Sequence, residues 1–269
     1  MNTTEHDHHD HGAMAELLDL DADVLHSYLA ELLDWLAGLS DAEPRRIVDL
    51  GSGTGTGSLA LARRFAQASV TALDVSRQML HRLAENASAA GVTHRVRGLL
   101  ADLDEDWPDL ERGDLVWAAS SLHHMADPGR TLAGAFANLR PGGLLAVTEM
   151  DFFPRFLPDD LGAGLEARVH AALNPHPPVD WAPHLVRAGF TLEAVRPFVV
   201  DLPAPLPTAT ARYAQVCLRQ QRSHVGGRLS DEDLAALDAL VDGDNPRSVL
   251  RRTDLTVRTT RTTWAARRR

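Results

Sequence analysis

The chain has 269 residues, 44% of them hydrophobic and 24% charged, with a formal net charge of −10. That length can hold one α/β domain with extra elements around a sizeable core. All 27 basic residues are arginine in an acidic chain, which argues against a nucleic-acid partner because phosphate binding needs a concentrated basic surface. No uncharged apolar run approaches the roughly 18 residues of a membrane-spanning helix, so no membrane partner is expected.

Residues 1–12, "MNTTEHDHHDHG", lack the basic and apolar regions of a secretory signal and read as a disordered tail. His6, His8, His9 and His11 lie among acidic residues that could attract a metal, but nothing nearby builds a rigid site, so no bound metal is expected. From Ala13 to Gly38, Leu17, Leu18, Leu25, Leu29, Leu32, Leu33 and Leu36 recur at spacings of three and four, the pattern of an amphipathic helical segment. Apolar runs at 46–50, 69–73, 95–100, 114–119 and 143–148 then read as strands, with helices at 57–66, 76–90 and 128–139 between them. Asp127 and Pro128 form an N-cap and first-turn pair for the third of these helices. Such alternation implies a parallel sheet with helices on both faces and ligands at the carboxyl ends of its strands. Further along, 159–173, 180–188, 208–222 and 230–242 look helical, and 191–201 and 254–266 look like strands. The lone cysteine, Cys217, cannot form an internal disulfide, which fits a reducing cytoplasm and a small buried residue.

The loop "GSGTGTG" at 51–57, between the first strand and the first of these helices, is the most informative stretch. A phosphate-binding P-loop needs a Gly-Lys pair, and the chain has no lysine. Gly51 and Gly53 satisfy the first two positions of the dinucleotide motif, but Thr56 stands where its third glycine belongs, which leaves a dinucleotide-dependent oxidoreductase as an alternative. A glycine run without a ligand would sacrifice backbone entropy, which close approach to a ligand offsets. Asp49 precedes the loop, and Asp74 and Asp102 end the next two strands, so three carboxylates surround one cleft. A carboxylate at Asp74 could accept two hydrogen bonds from a ribose diol, and one at Asp102 could accept from an exocyclic amine.

Taken together, "VDLGSGTGTG", "ALDVS" with "QML", "ADLDED", "DLVWAASSLHHM" and "LRPGGLLAVTE" resemble the class I S-adenosylmethionine-dependent methyltransferases, in particular the small-molecule branch called type 11 or type 12. The resemblance covers residues 45–150. It implies that Asp49, Gly51, Ser52, Gly53 and Gly55 border the methionine half of the cofactor. Asp74 and Val75 would take the ribose and the adenine edge, Asp102 and Leu103 the adenine, and Ala119 would line the same cleft. The implied fold is a doubly wound, mostly parallel seven-stranded sheet with an N-terminal helical lid at 13–40, a cofactor-binding core at 45–150, acceptor-side helices and a sixth strand at 151–245, and a final strand at 246–269. Residues 13–269 then form a single domain. S-adenosylmethionine is the expected cofactor, and the implied activity is methyl transfer to oxygen or nitrogen of a small molecule in secondary metabolism. A non-methylating protein that binds the same cofactor is the other alternative. The oligomeric state stays open, with a homodimer among the options.

A cationic sulfonium already activates the methyl, so the protein has to position the acceptor, exclude water and, for a protonated acceptor, remove a proton. His123 and His124 in "SSLHHMADP" are the candidates for that proton, with His123 preferred. Glu149 and Asp151, at the end of the fifth strand, could orient the acceptor. Tyr28 could reach over the cofactor from the lid, and Trp181 could stack on a flat acceptor, as could Phe152, Phe153, Phe156 and Tyr213. Arg247, Arg251 and Arg252 could recognise an anion. After the fourth strand the chain reads "ASSL" in place of an Asn/Asp-Pro-Pro-aromatic motif, which counts against methylation of a nucleobase or protein amide nitrogen.

Overall fold

A computed structural model describes residues 3–173, 177–203 and 206–269, with side chains from residue 12 onward. Two helices open the chain, α1 (Thr3–Val24) and α2 (His26–Leu39), separated by Leu25 alone. The backbone of residues 3–12 is thus helical where the sequence reads as a disordered tail. Extending a helix that is already docked needs only propagation and no new nucleus, so a polar run can continue it. Then follow β1 (Arg46–Leu50), α3 (Thr56–Arg64), β2 (Ser69–Asp74), α4 (Arg77–Ala89), β3 (Val96–Leu100), β4 (Gly113–Ala119), α5 (Pro128–Asn138) and β5 (Leu139–Met150). The last third supplies α6 (Leu165–Leu173), α7 (Ala182–Arg187), β6 (Thr191–Leu202), α8 (Ala209–Val225), α9 (Asp231–Val241) and β7 (Val257–Arg267).

The seven strands form one sheet in the order β3-β2-β1-β4-β5-β7-β6. β1 to β5 run parallel, and β7 lies antiparallel between β5 and β6. Ile47, Val48, Leu50, Val70, Ala72 and Leu73 are buried because the central strands are covered on both faces, which is why they read as near-continuous apolar runs. The strand order reverses between β1 and β4, and a crevice opens there at their carboxyl ends.

One core lies between the sheet and α2, α3, α4, α6, α8 and α9, and a second lies under α5 and α7. α2 seats Leu32, Leu33 and Leu36 fully in the first core. Each such leucine contributes about 1.5–3 kcal/mol of burial, which suffices to hold the helix without a side-chain cap. Elsewhere caps set the helix starts: Ser76 accepts from the Met79 amide, Ser230 from Asp233, and Asp127, followed by Pro128, from Arg130 as the sequence pattern anticipates. Among the described residues no helix is long and apolar enough to cross a membrane.

Candidate active site

The crevice holds a cleft of about 390 Å³, within the range of small-molecule sites. Its floor is the turn from β1 into α3. Gly51 and Gly53 have φ of +66° and +53°, and a Cβ at Gly51 would stand 2.6 Å from the Cβ of Ser121. The turn therefore needs glycine both for its left-handed backbone and for its closeness to the loop after β4. It is pinned to β2 by the Ser52 amide, which donates to the Leu73 carbonyl at 2.9 Å. The Gly53 amide donates to Asp74 Oδ2 at 2.8 Å, and the Ser76 amide donates to Asp74 Oδ1 at 2.8 Å. Each Asp74 oxygen keeps a lone pair for a ligand hydroxyl.

Asp49 is buried, accepts the Ser58 hydroxyl at 2.6 Å, and is pushed up to about 7 by burial, with the nearby Asp74 charge adding to the shift. Asp102 lines the opposite wall, where its Oδ1 accepts the Asp104 amide at 3.0 Å. Val75, Leu103 and Ala119 also line the cleft, together with Ser52, Ser121 and His124. Ser120, at the tip of β4, holds φ of +51° although it carries a side chain, a conformation that clusters at ligand sites.

Four carboxylates, Asp49, Asp74, Asp102 and Asp104, line this cleft, and no arginine does among the described residues. That charge suits a ligand bearing ammonium and sulfonium cations and repels a pyrophosphate. The Ser52 and Ser121 hydroxyls are buried in the wall without a hydrogen-bond partner among the described residues. Such groups are satisfied when a polar ligand fills the space. The residues present therefore fit S-adenosylmethionine better than a dinucleotide.

Beside the cleft, the His123 Nδ1 lies 2.7 Å from Glu149 Oε2, and the Leu122 amide donates to Glu149 Oε1 at 3.2 Å. This hydrogen bond to the carboxylate raises the His123 pKa in spite of partial burial. His124 lines the cleft itself, 4.0 Å ring to ring from His123, and burial lowers its pKa, with the His123 charge adding to the effect. Glu149 is thus spoken for by His123, in place of the acceptor-orienting contact anticipated for it. The Asp151 carboxylate accepts from the Thr262 hydroxyl at 3.1 Å, and burial raises its pKa.

Three other anticipated residues fall elsewhere. Gly55 caps α3 at φ +80° and faces Leu83, outside the cleft wall, although Thr56 and Gly57 at the helix start line it. Tyr28 is buried edge-on against Phe198, on the core face of α2, and does not lie over the cofactor space. Trp181 is buried in the second core next to His184, where apolar burial outweighs a surface role. Phe156 and Tyr213 likewise pack on each other, with ring centroids 5.1 Å apart. The side chains of His6, His8, His9 and His11 lie outside the described residues. Sequence reasoning missed Met14 and Leu18 of α1, which line the cleft, and Ser120 and Ser121. The leucine periodicity marks α1 as helical, but not which wall it meets.

Comparison with known proteins finds methyltransferases. Residues 47–143 match the family model described as a methyltransferase domain. The 27-O-demethylrifamycin SV methyltransferase of Amycolatopsis mediterranei is 34% identical over 151 residues, covering 55% of this chain and 53% of that relative. The trans-aconitate 2-methyltransferase of Delftia acidovorans is 35% identical over 119 residues, covering 43% and 42%. The chain thus spans about half the length of the curated relatives it matches. Among solved structures, a Bacillus halodurans C-125 protein provisionally described as a methyltransferase superposes with a TM-score of 0.56 at 17% identity, covering 88% of this chain and 98% of that one. The fold is the one this chain shares with that solved structure. Residues 47–143 carry a methyltransferase domain.

Proposed function

We propose that this chain transfers a methyl group to an oxygen or nitrogen of a small molecule, acting in the cytoplasm and in secondary metabolism. The observation that carries the reading is the His123–Glu149 pair at 2.7 Å beside a cleft lined by carboxylates. When bound, the cofactor supplies an electrophilic methyl on a positively charged sulfur. Asp74 takes its ribose hydroxyls, Asp102 its adenine amine, and Asp49 with Ser52 its amino-acid end. Glu149 holds the proton on His123 Nδ1, which leaves Nε2 free to accept the proton of the acceptor's hydroxyl or amine. His124 walls the cleft and lies against the His123 ring with the two planes tilted by 45°. The names of the relatives support a small-molecule acceptor: one acts at a rifamycin oxygen, another on trans-aconitate.

Titration with S-adenosylmethionine, S-adenosylhomocysteine and NAD tests the cofactor, and preferential binding of NAD overturns the reading. Release of S-adenosylhomocysteine across a panel of hydroxyl, carboxylate and amine acceptors tests the activity. Binding without release across all of those classes favours a non-methylating role.

A further inference from the structure

Arg261 is a buried cation next to the acceptor side of the cleft. It stands on β7 opposite Met150, the last residue of β5, with its side chain 11% exposed. Its guanidinium lies 5.2 Å over the Tyr28 ring and pairs with Asp21 of α1, whose Oδ1 also accepts the Tyr213 hydroxyl at 2.5 Å. Its Nε is buried and has no hydrogen-bond partner among the described residues. A guanidinium and a phenol thus converge on one carboxylate oxygen, with a further guanidinium N–H left unused beside them, donors of the kind by which proteins recognise organic acids. Burying such a pair is costly compared with packing apolar side chains of similar volume, so stability alone is a poor reason to keep it.

The position matters as much as the chemistry. The Ser120 amide donates to the Thr148 carbonyl at 2.8 Å, and Ser120 lines the cleft. From strand spacing and rise, the Arg261 backbone lies about 12 Å from Ser120, within reach of an acceptor a few atoms long. The carboxylate now filling the anchor comes from α1, whose Met14 and Leu18 close the same cleft. Leu25 alone separates α1 from the firmly seated α2, and Asp21 lies one turn before that break, its carbonyl accepting the Leu25 amide at 2.9 Å.

We infer that Arg261 and Tyr213 anchor a carboxylate of the methyl acceptor, and that Asp21 holds this anchor until α1 is displaced. The acceptor is then a small organic acid; the inference rests on the methyl-transfer reading of the cleft.

The test uses the full chain with Asp21→Ala, melted in acetate, in chloride of equal ionic strength and in acetamide. The variant melts below the wild type, acetate restores several degrees, and chloride and acetamide do not. The double variant Asp21→Ala/Arg261→Gln gains nothing from acetate. Acetate acting no better than chloride, or rescue persisting in the double variant, overturns the inference. If Asp21→Ala does not fold, Asp21→Asn is titrated with malonate by calorimetry: affinity at least tenfold above wild type supports the anchor, and equal affinity overturns it. S-adenosylhomocysteine titrated into the same proteins reports the cofactor site separately, so failure of the methyl-transfer reading is distinguishable from failure of the anchor.

Discussion

The two walls of the cleft are held by different forces. On the strand-tip side, Gly51 and Gly53 turn the chain, backbone amides of Gly53 and Ser76 grip Asp74, and Asp49 is fixed from below by Ser58. On the other side, α1 packs Leu17, Leu20 and Val24 on the core and is tied down by long side chains reaching out from distant elements. Arg212 of α8 forks onto Glu16 at 2.6 and 2.8 Å, Arg82 of α4 reaches Asp19 at 2.9 Å, and Arg261 of β7 pairs with Asp21. Backbone hydrogen bonds in a buried turn leave one conformation and resist salt. The Glu16–Arg212 and Asp19–Arg82 pairs are partly exposed and can break and re-form, whereas the Asp21–Arg261 pair is buried. On this contrast the strand-tip wall is expected to be rigid and α1 to be the wall that moves.

The sharpest way to break this contrast is Gly51→Val. A side chain there must adopt left-handed backbone and push Ser121 aside, so the fold should lose about 2–4 kcal/mol of stability, read by urea denaturation. A variant as stable as the wild type would show that the turn is not rigid. Next in size is Asp74→Ala, which leaves two amides without their acceptor and removes the ribose partner. Cofactor affinity should fall about 10- to 100-fold, corresponding to roughly 1–3 kcal/mol, in a calorimetric titration. Unchanged affinity would refute the ribose assignment.

The same contrast explains what the sequence could and could not reveal. Gly51, Gly53, Asp49, Asp74 and Asp102 are brought to the cleft by local backbone and by strand ends, and both are set by patterns a few residues long. The alternation of strands and helices, and with it the parallel sheet, is legible for the same reason. Asp21, Tyr213 and Arg261 meet across 240 residues, and nothing in their local spacing announces it. Tyr28 and Trp181 look like cleft residues because aromatics serve ligands and cores alike. Only the packing of α2 on β6, and of Trp181 beneath α7, decides between those uses. Glu149 was legible as a site acid, but its pairing with His123 depends on how β4 and β5 end side by side.

A third effect, of intermediate size, sharpens the electrostatics of the rigid wall. Asp49 is pushed up to about 7 from the ordinary 3.8 by burial. Without ligand the folded state therefore holds a proton that the unfolded chain releases between about pH 4 and pH 7, so stability declines as pH rises across that window. A cationic ligand favours the ionised form, so binding expels the proton. Affinity for S-adenosylmethionine should be level above pH 7 and fall by at most about tenfold per pH unit below it. Fluorescence titrations across that range measure this, and Asp49→Asn should flatten the profile. A flat wild-type profile would show that Asp49 stays ionised in the free protein.

The smallest effect tests the movable wall. Glu16 and Arg212 are about two-fifths exposed, so Glu16→Gln should cost less than about 1 kcal/mol of global stability. Its consequence should be local. Raising the salt to about 0.5 M shortens the Debye length to roughly 4 Å, which weakens the Glu16–Arg212 and Asp19–Arg82 pairs together while leaving the amide grip on Asp74 intact. Amide hydrogen exchange should then quicken in α1, both in high salt and in Glu16→Gln, with the loop at 51–55 unchanged. Because the leucines of α2 stay buried, protection there should not move either. Equal quickening of α1 and the glycine loop would mean that the two walls open as one unit, and the division of labour between them would fall.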